Sequence, residues 1–229
     1  MWVDKLIVLL AVSIFIITAV YSPASAREII VDNNGSDADF KSVQEAVNNS
    51  SSGDVILVYP GFYNESVDLG IQNISILSES ENPEDTTVRA FKPCVNNITI
   101  SGFSVQESLT LQGYILPVGY NSHSPIENCT VKSNILESGI YADECYNSTI
   151  EKNVILSYGI SVSSSNGSLT ISDNLLINGG IDSHLGHIDL LNNTILNGHI
   201  RLGEGGGSKI IGNYISNGYG IGFWEFGSS

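Results

Sequence analysis

Six residues able to do chemistry recur at similar places in successive repeats of the chain: Tyr141, Asp143, Asp182, His184, Arg201 and Trp224. Asp182, Arg201 and His184 are the candidate catalytic set, because a strong base can remove a proton α to a carboxylate. Asp143 and Asp182 are carboxylates that could hold calcium, whose ligands are oxygens. Tyr141 and Trp224 offer rigid apolar rings of the kind on which sugar rings rest. The same six side chains equally make a face that binds without reacting. A plainer reading competes for the charges. Lys132 with Glu151, Asp182 with Arg201 and Asp189 with Lys209 each recur about one repeat apart. Cross-strand charge pairs of this sort contribute only ~0.2–1 kcal/mol each. Spacing alone does not assemble two carboxylates and a base, so surface pairing is preferred over catalysis.

The elements that must position these residues are written five times between Asn128 and Ile221 as CTVKSNIL, STIEKNVI, LTISDNLL, IDLLNNTI and SKIIGNYI. Asn134, Asn153, Asn174, Asn193 and Asn213 align at spacings of 19, 21, 19 and 20 residues. An apolar residue stands three before each (Val131, Ile150, Ile171, Leu190, Ile210) and another two after (Leu136, Ile155, Leu176, Ile195, Ile215). Further on comes an isoleucine, after glycine in four repeats and after His199 in the other. A fixed period near 20 with period-two alternation inside it means short strands, stacked coil on coil in parallel register. The asparagines read as a structural ladder, turning the chain in left-handed backbone and bonding amide to amide between coils. In the strands after each glycine, Ile140, Ile160, Ile181, Ile200 and Ile221 point inward, followed by Ala142, Val162, Ser183, Leu202 and Phe223. Tyr141, Asp143, Asp182, His184, Arg201 and Trp224 then share the outward face.

Residues 1–26 read as a signal peptide: a weakly basic start at Lys5, the apolar run Leu6 to Val20, then Pro23 and Ala24-Ser25-Ala26. The run is short for a membrane span, so no span is expected after its removal. The mature part, 27–229, is expected to be one domain. Its net charge remains −15, since Asp4 and Lys5 leave together. Such acidity argues against nucleic acid as a partner. Cys94, Cys129 and Cys145 are too few and irregular for a zinc site, and allow at most one disulfide. Asn-x-Ser/Thr sequons occur at Asn34, Asn48, Asn49, Asn64, Asn73, Asn97, Asn128, Asn147, Asn166 and Asn192, so an exported chain could be a glycoprotein.

Residues 27–69 make an opening unit. Ile29 to Val31 is a strand, and Ser42-Val43-Gln44-Glu45 is a capping box that opens a short helix. Val55 to Tyr59 is a buried strand, Pro60-Gly61 turns, and Phe62 to Val67 alternates. A solenoid needs its first coil covered, and the amphipathic helix suits that task. Residues 70–127 read as irregular coils, with strands near Ile71 to Leu77 and Ile98 to Val105, an acidic loop from Ser78 to Thr87 and an excursion from Gln112 to Glu127.

The run DFKSVQEAVNNSSSGDVILVYPGFYNESVDL resembles the N-terminal cap and first coil of the right-handed β-helix, pectin-lyase-like superfamily. The later coils resemble its carbohydrate-binding and sugar-hydrolase repeat module, found also in NosD-like proteins. The resemblance spans roughly Asp37 to Ile221. It implies an all-β fold: a right-handed, single-stranded parallel β-helix with a short N-terminal capping helix. The pectin methylesterase motifs QDT, DFIFG and LGRPW do not occur, which argues against esterase chemistry. The expected function is a secreted or cell-surface, non-catalytic module for glycan binding or envelope structure, with carbohydrate or envelope components as partners and no required cofactor. The alternatives are a polysaccharide lyase or related sugar-active enzyme, and a NosD-like accessory of periplasmic copper maturation.

Overall fold

Alternating apolar residues in short stretches, punctuated by asparagine and glycine, leave no stretch for a long helix among the described residues, and none forms there. In a computed structural model the chain is described over residues 26–114, 124–163, 165–204 and 207–223; for 165–167, 185, 186 and 204 this means the backbone only. It is a parallel β-solenoid with a single short helix, α1 (Val43–Asn48), among the described residues. No helix among them is long and apolar enough to cross a membrane.

Each later coil contributes strands to three walls. The first wall stacks Ile98–Ser101, Thr130–Lys132, Ser148–Glu151, Ser165–Ser172, the end of Gly179–Leu191, and Lys209–Ile211. After the asparagine corner, the second wall stacks Ser104–Val105, Ile135–Leu136, Val154–Ile155, Leu175–Ile177, Thr194–Leu196 and Tyr214–Ser216. The third stacks Leu109–Gln112, Ile140–Asp143, Tyr158–Val162, the start of Gly179–Leu191, His199–Glu204 and Gly220–Phe223. Every pairing is parallel, so each coil satisfies the backbone groups of the one before it. Residues 70–114 are more regular than the sequence suggests. Ile74–Ser78 sits in the first wall, between Val55–Val58 and Ile98–Ser101, and Thr86–Pro93 pairs with Gly61–Leu69 across one bulge.

The interior is built of stacked columns. Ile100, Val131, Ile150, Ile171 and Leu190 form one, and Leu109, Ile140, Ile160, Ile181 and Ile200 another, all buried. β-Branched side chains dominate because a pleated, fully covered strand suits their restricted χ1. Ala142, Val162, Ser183 and Leu202 also point inward, as the alternation requires. Ile221 and Phe223 depart from that expectation. Both are exposed, because no further described coil covers the last one.

α1 lays Val43, Ala46 and Val47 against the core. Its start is capped differently from the expected box. Ser42 Oγ accepts from the Glu45 amide at 3.2 Å, but Glu45 does not complete the box. Glu65, from the strand Gly61–Leu69, supplies the carboxylate instead. It accepts from Ser42 Oγ at 2.7 Å, the Gln44 amide at 2.9 Å and the Val43 amide at 3.2 Å. Free amides at a helix start favour such a negative group.

Candidate functional site

The corner that sets the outward face begins at the asparagine column. The side chain of Asn174 shows the scheme. Its Nδ2 donates to Asn193 Oδ1 at 3.0 Å and to the Ile150 carbonyl at 2.9 Å, while its Oδ1 accepts from the Asn153 amide and Nδ2 at 3.0 and 3.1 Å. Asn134, Asn153 and Asn193 repeat it, with Asn213 as the last member. The left-handed backbone lies one residue earlier than the sequence reading placed it. Ser133, Lys152, Asp173, Asn192 and Gly212 have φ between 55° and 70°, and the buried asparagines do not. The exposed residue turns the chain, and the buried amide is left free to bridge. Asn178 accepts from Asn197 Nδ2 at 3.0 Å in a second, exposed column. Asn178, Asn197 and Asn217 all have φ near +56°.

Glycines before the third wall follow from coil spacing. A Cβ on Gly139 would lie 2.6 Å from the Gly159 carbonyl oxygen, and Gly159 and Gly180 are hemmed in by the next coil in the same way. Where the glycine is replaced by His199, the side chain turns back over Gly180.

In the third wall the outward residues Thr110, Tyr141, Ser161, Asp182 and Arg201 are successive register partners. Asp68 and Lys92, themselves paired, carry the row toward the N-terminal end, beside a groove of about 470 Å³ that Thr110, Gln112 and Tyr114 also line. Two residues on, Asp143 accepts from Gln112 Nε2 at 3.2 Å and from the Ser163 hydroxyl. His184 is exposed one strand position past Ser183. Tyr141, Asp143, Asp182, His184 and Arg201 therefore share a face, although Asp143 lies two coils from Asp182 and His184. Trp224 falls outside the described residues, as do residues 1–25.

Asp182 has a partner that sequence spacing did not single out. His199 Nε2 stands 3.1 and 3.2 Å from its two carboxylate oxygens, whereas Arg201 approaches only to 4.0 Å. His199 is 19% exposed, so this pair is partly desolvated. The signal for it was the histidine standing where other repeats have glycine. Of the other charge pairs, Lys209 meets Asp189 at 3.0 Å. Burial works against the charge on Asp189, but Lys209 and His187 outweigh it and hold its pKa below the usual carboxylate range. Lys132 and Glu151 are register neighbours without forming an ion pair. No group of three or more His, Cys, Asp or Glu residues able to hold a metal occurs among the described residues. All three cysteines are free thiols. Cys129 and Cys145 are buried, and burial raises the pKa of both.

Stacked parallel coils with an inner asparagine column and an outward polar row define a β-solenoid protein. The sequence matches the family described as "Right handed beta helix region" over residues 80–195, and the chain belongs to that family. No curated protein matches it significantly. Among solved structures, it is similar to a pectin methylesterase in complex with hexasaccharide VII, at 16% identity and a TM-score of 0.34. That alignment covers 85% of this chain, which spans only 66% of the other. It is also similar to the pectin methylesterase PemA from Erwinia chrysanthemi, at 13% identity and a TM-score of 0.31, covering 88% of this chain and 90% of that one.

Proposed function

We propose that the protein is an exported or cell-surface, non-catalytic β-helix module that binds a linear glycan. Its coils wind right-handedly, and α1 caps the first of them. Residues 1–26 are its signal peptide. One observation carries the reading: the third wall presents one outward polar or aromatic side chain per coil, from Asp68 through Lys92, Thr110, Tyr141, Ser161 and Asp182 to Arg201. A surface that repeats at a fixed rise suits a ligand that repeats likewise. The hydroxyl, amide and charged groups along it can bond sugar hydroxyls, and Tyr141 adds a ring.

The His199–Asp182 pair favours a second reading, a lyase or related sugar-active enzyme, because a carboxylate orienting an imidazole is a base with its positioning group. One experiment separates the two. Purified chain is incubated with a panel of polysaccharides, with and without calcium, and both retention and products are measured. Binding without any product is the expected result. Unsaturated or hydrolysed product, abolished by Asp182→Ala or His199→Ala, would establish the enzyme instead.

A further inference from the structure

We propose that Tyr158 and Tyr219 form a two-ring stacking platform for an uncharged linear glycan lying along the solenoid axis. The inference rests on the glycan-binding reading above and gives that ligand a chemical class and a place. The two tyrosines are the most exposed large apolar side chains among the described residues, at 82% and 92%. Exposed aromatic rings lose apolar burial and gain nothing from the fold. They also share one corner of the coil. Tyr158 pairs in register with Gly179, and Gly220 pairs with His199. Gly218 stacks on Gly198, so Tyr219 is the extra residue between Gly218 and Gly220, and both tyrosines stand at the corner before the third wall, three coils apart. Three coil steps at ~4.8 Å separate the rings by about 14 Å. The glycines between them leave a floor without side chains, because a Cβ at either would strike the backbone of the preceding coil.

Tyr158 is held there against its own backbone preference. Its φ is 63°, and it is the one aromatic among the described non-glycine residues with positive φ. In the next three coils the positive φ falls one register position earlier, on Asn178, Asn197 and Asn217, which tolerate that conformation. A bulky side chain strained in the open is an observation that points to use. Tyr158 and Tyr141 flank a depression of about 220 Å³ floored by Gly139 and Gly159. Ser108, Ser138 and Ser161 line its sides, and none of its lining residues is charged. Hydroxyls beside aromatic rings match a neutral sugar, with an apolar face for the ring and donors for its rim. A polyanion would meet a chain of net charge −15 with no cation in this depression.

The test is calorimetric titration of the purified protein with cellohexaose, xylohexaose, mannohexaose and hexagalacturonate, and with the matching neutral disaccharides. A neutral hexasaccharide should bind, and its disaccharide more weakly, since it cannot reach both rings. Tyr219→Ala should weaken binding roughly three- to tenfold. Tyr158→Asn should do the same while leaving the melting temperature equal or higher, because asparagine tolerates the positive φ that strains tyrosine. A Tyr158→Asn/Tyr219→Ala protein that binds the hexasaccharide like wild type would overturn the platform and leave the glycan-binding reading standing. Wild-type binding confined to hexagalacturonate would overturn the uncharged class. Wild type binding no saccharide at all would overturn both.

Discussion

The Asn174 side chain makes four hydrogen bonds within the solenoid, and its substitution tests the inner column directly. Replacing it with leucine removes the acceptor for the Asn153 amide and Nδ2 and the donor to the Ile150 carbonyl. Each buried group left without a partner costs about 1–3 kcal/mol, so Asn174→Leu should lower the melting temperature sharply. Asn178→Gly is the matched control, since glycine keeps its left-handed backbone and the site is exposed; a change within ~0.5 kcal/mol is expected. Equal melting temperatures would contradict a stabilising inner ladder. Asp54 makes a second residue-scale prediction. Its buried carboxylate accepts from Arg27 Nη2 and the Ser51 amide at 2.8 Å and from the Arg27 amide at 2.9 Å. The Arg27 side chain, helped by these amides, holds its pKa below the ordinary value despite burial. A depressed folded pKa means stability present above the unfolded value of about 3.9 and lost as pH falls through the folded one. Wild type should therefore lose more stability than Asp54→Asn between about pH 4.5 and pH 2.5, measured by thermal melts across that range.

At the scale of elements, α1 is too short to persist alone, and its six residues depend on the coil beneath. Three apolar side chains fasten its underside, and Glu65 fastens its start from a different strand. Glu65→Ala should destabilise the protein by about 1–2 kcal/mol in urea unfolding, since it strips a charged acceptor from two helix amides and a hydroxyl. Glu45→Ala should change little, because its side chain completes no box. The reverse ranking would show that the local motif, and not the strand, caps the helix. The third wall teaches a related lesson. His199 reaches Asp182 because Gly180 has no side chain in the way, and Gly180→Ala would press a Cβ against the His199 carbonyl and ring.

For the whole molecule, charge and coil stacking act in opposition. A net charge of −15 repels itself along an elongated solenoid, while few of the acids are paired with bases. Raising salt from about 0.01 M to 1 M shortens the screening length from about 30 to 3 Å. The melting temperature should therefore rise with sodium chloride; a flat or falling curve would mean that specific ion pairs outweigh the general repulsion. Far-ultraviolet circular dichroism of residues 27–229 should be dominated by β-structure, and a spectrum with one third helix would be incompatible with this architecture.

The period near 20 and the alternation within it were enough to specify parallel stacked coils, the inner columns and the asparagine row, because each coil repeats the same local requirement. The outward order of Tyr141, Asp182 and Arg201 could be read for the same reason. What the sequence did not decide were contacts that depend on how many residues each corner uses. Counted from the ladder asparagine, the residue before the third-wall isoleucine is five positions on at Gly139, six at Gly159, Gly180 and His199, and seven at Gly220. Aligning on the asparagines therefore sets Tyr158 against Gly218. The fold keeps Gly218 stacked on Gly198 and resumes the third-wall register at Gly220, so the corner absorbs Tyr219 as the extra residue and leaves it exposed. Glu65 on α1 and His199 on Asp182 were hidden for that same physical reason: both are side-chain contacts between coils, made only once stacking has set the register.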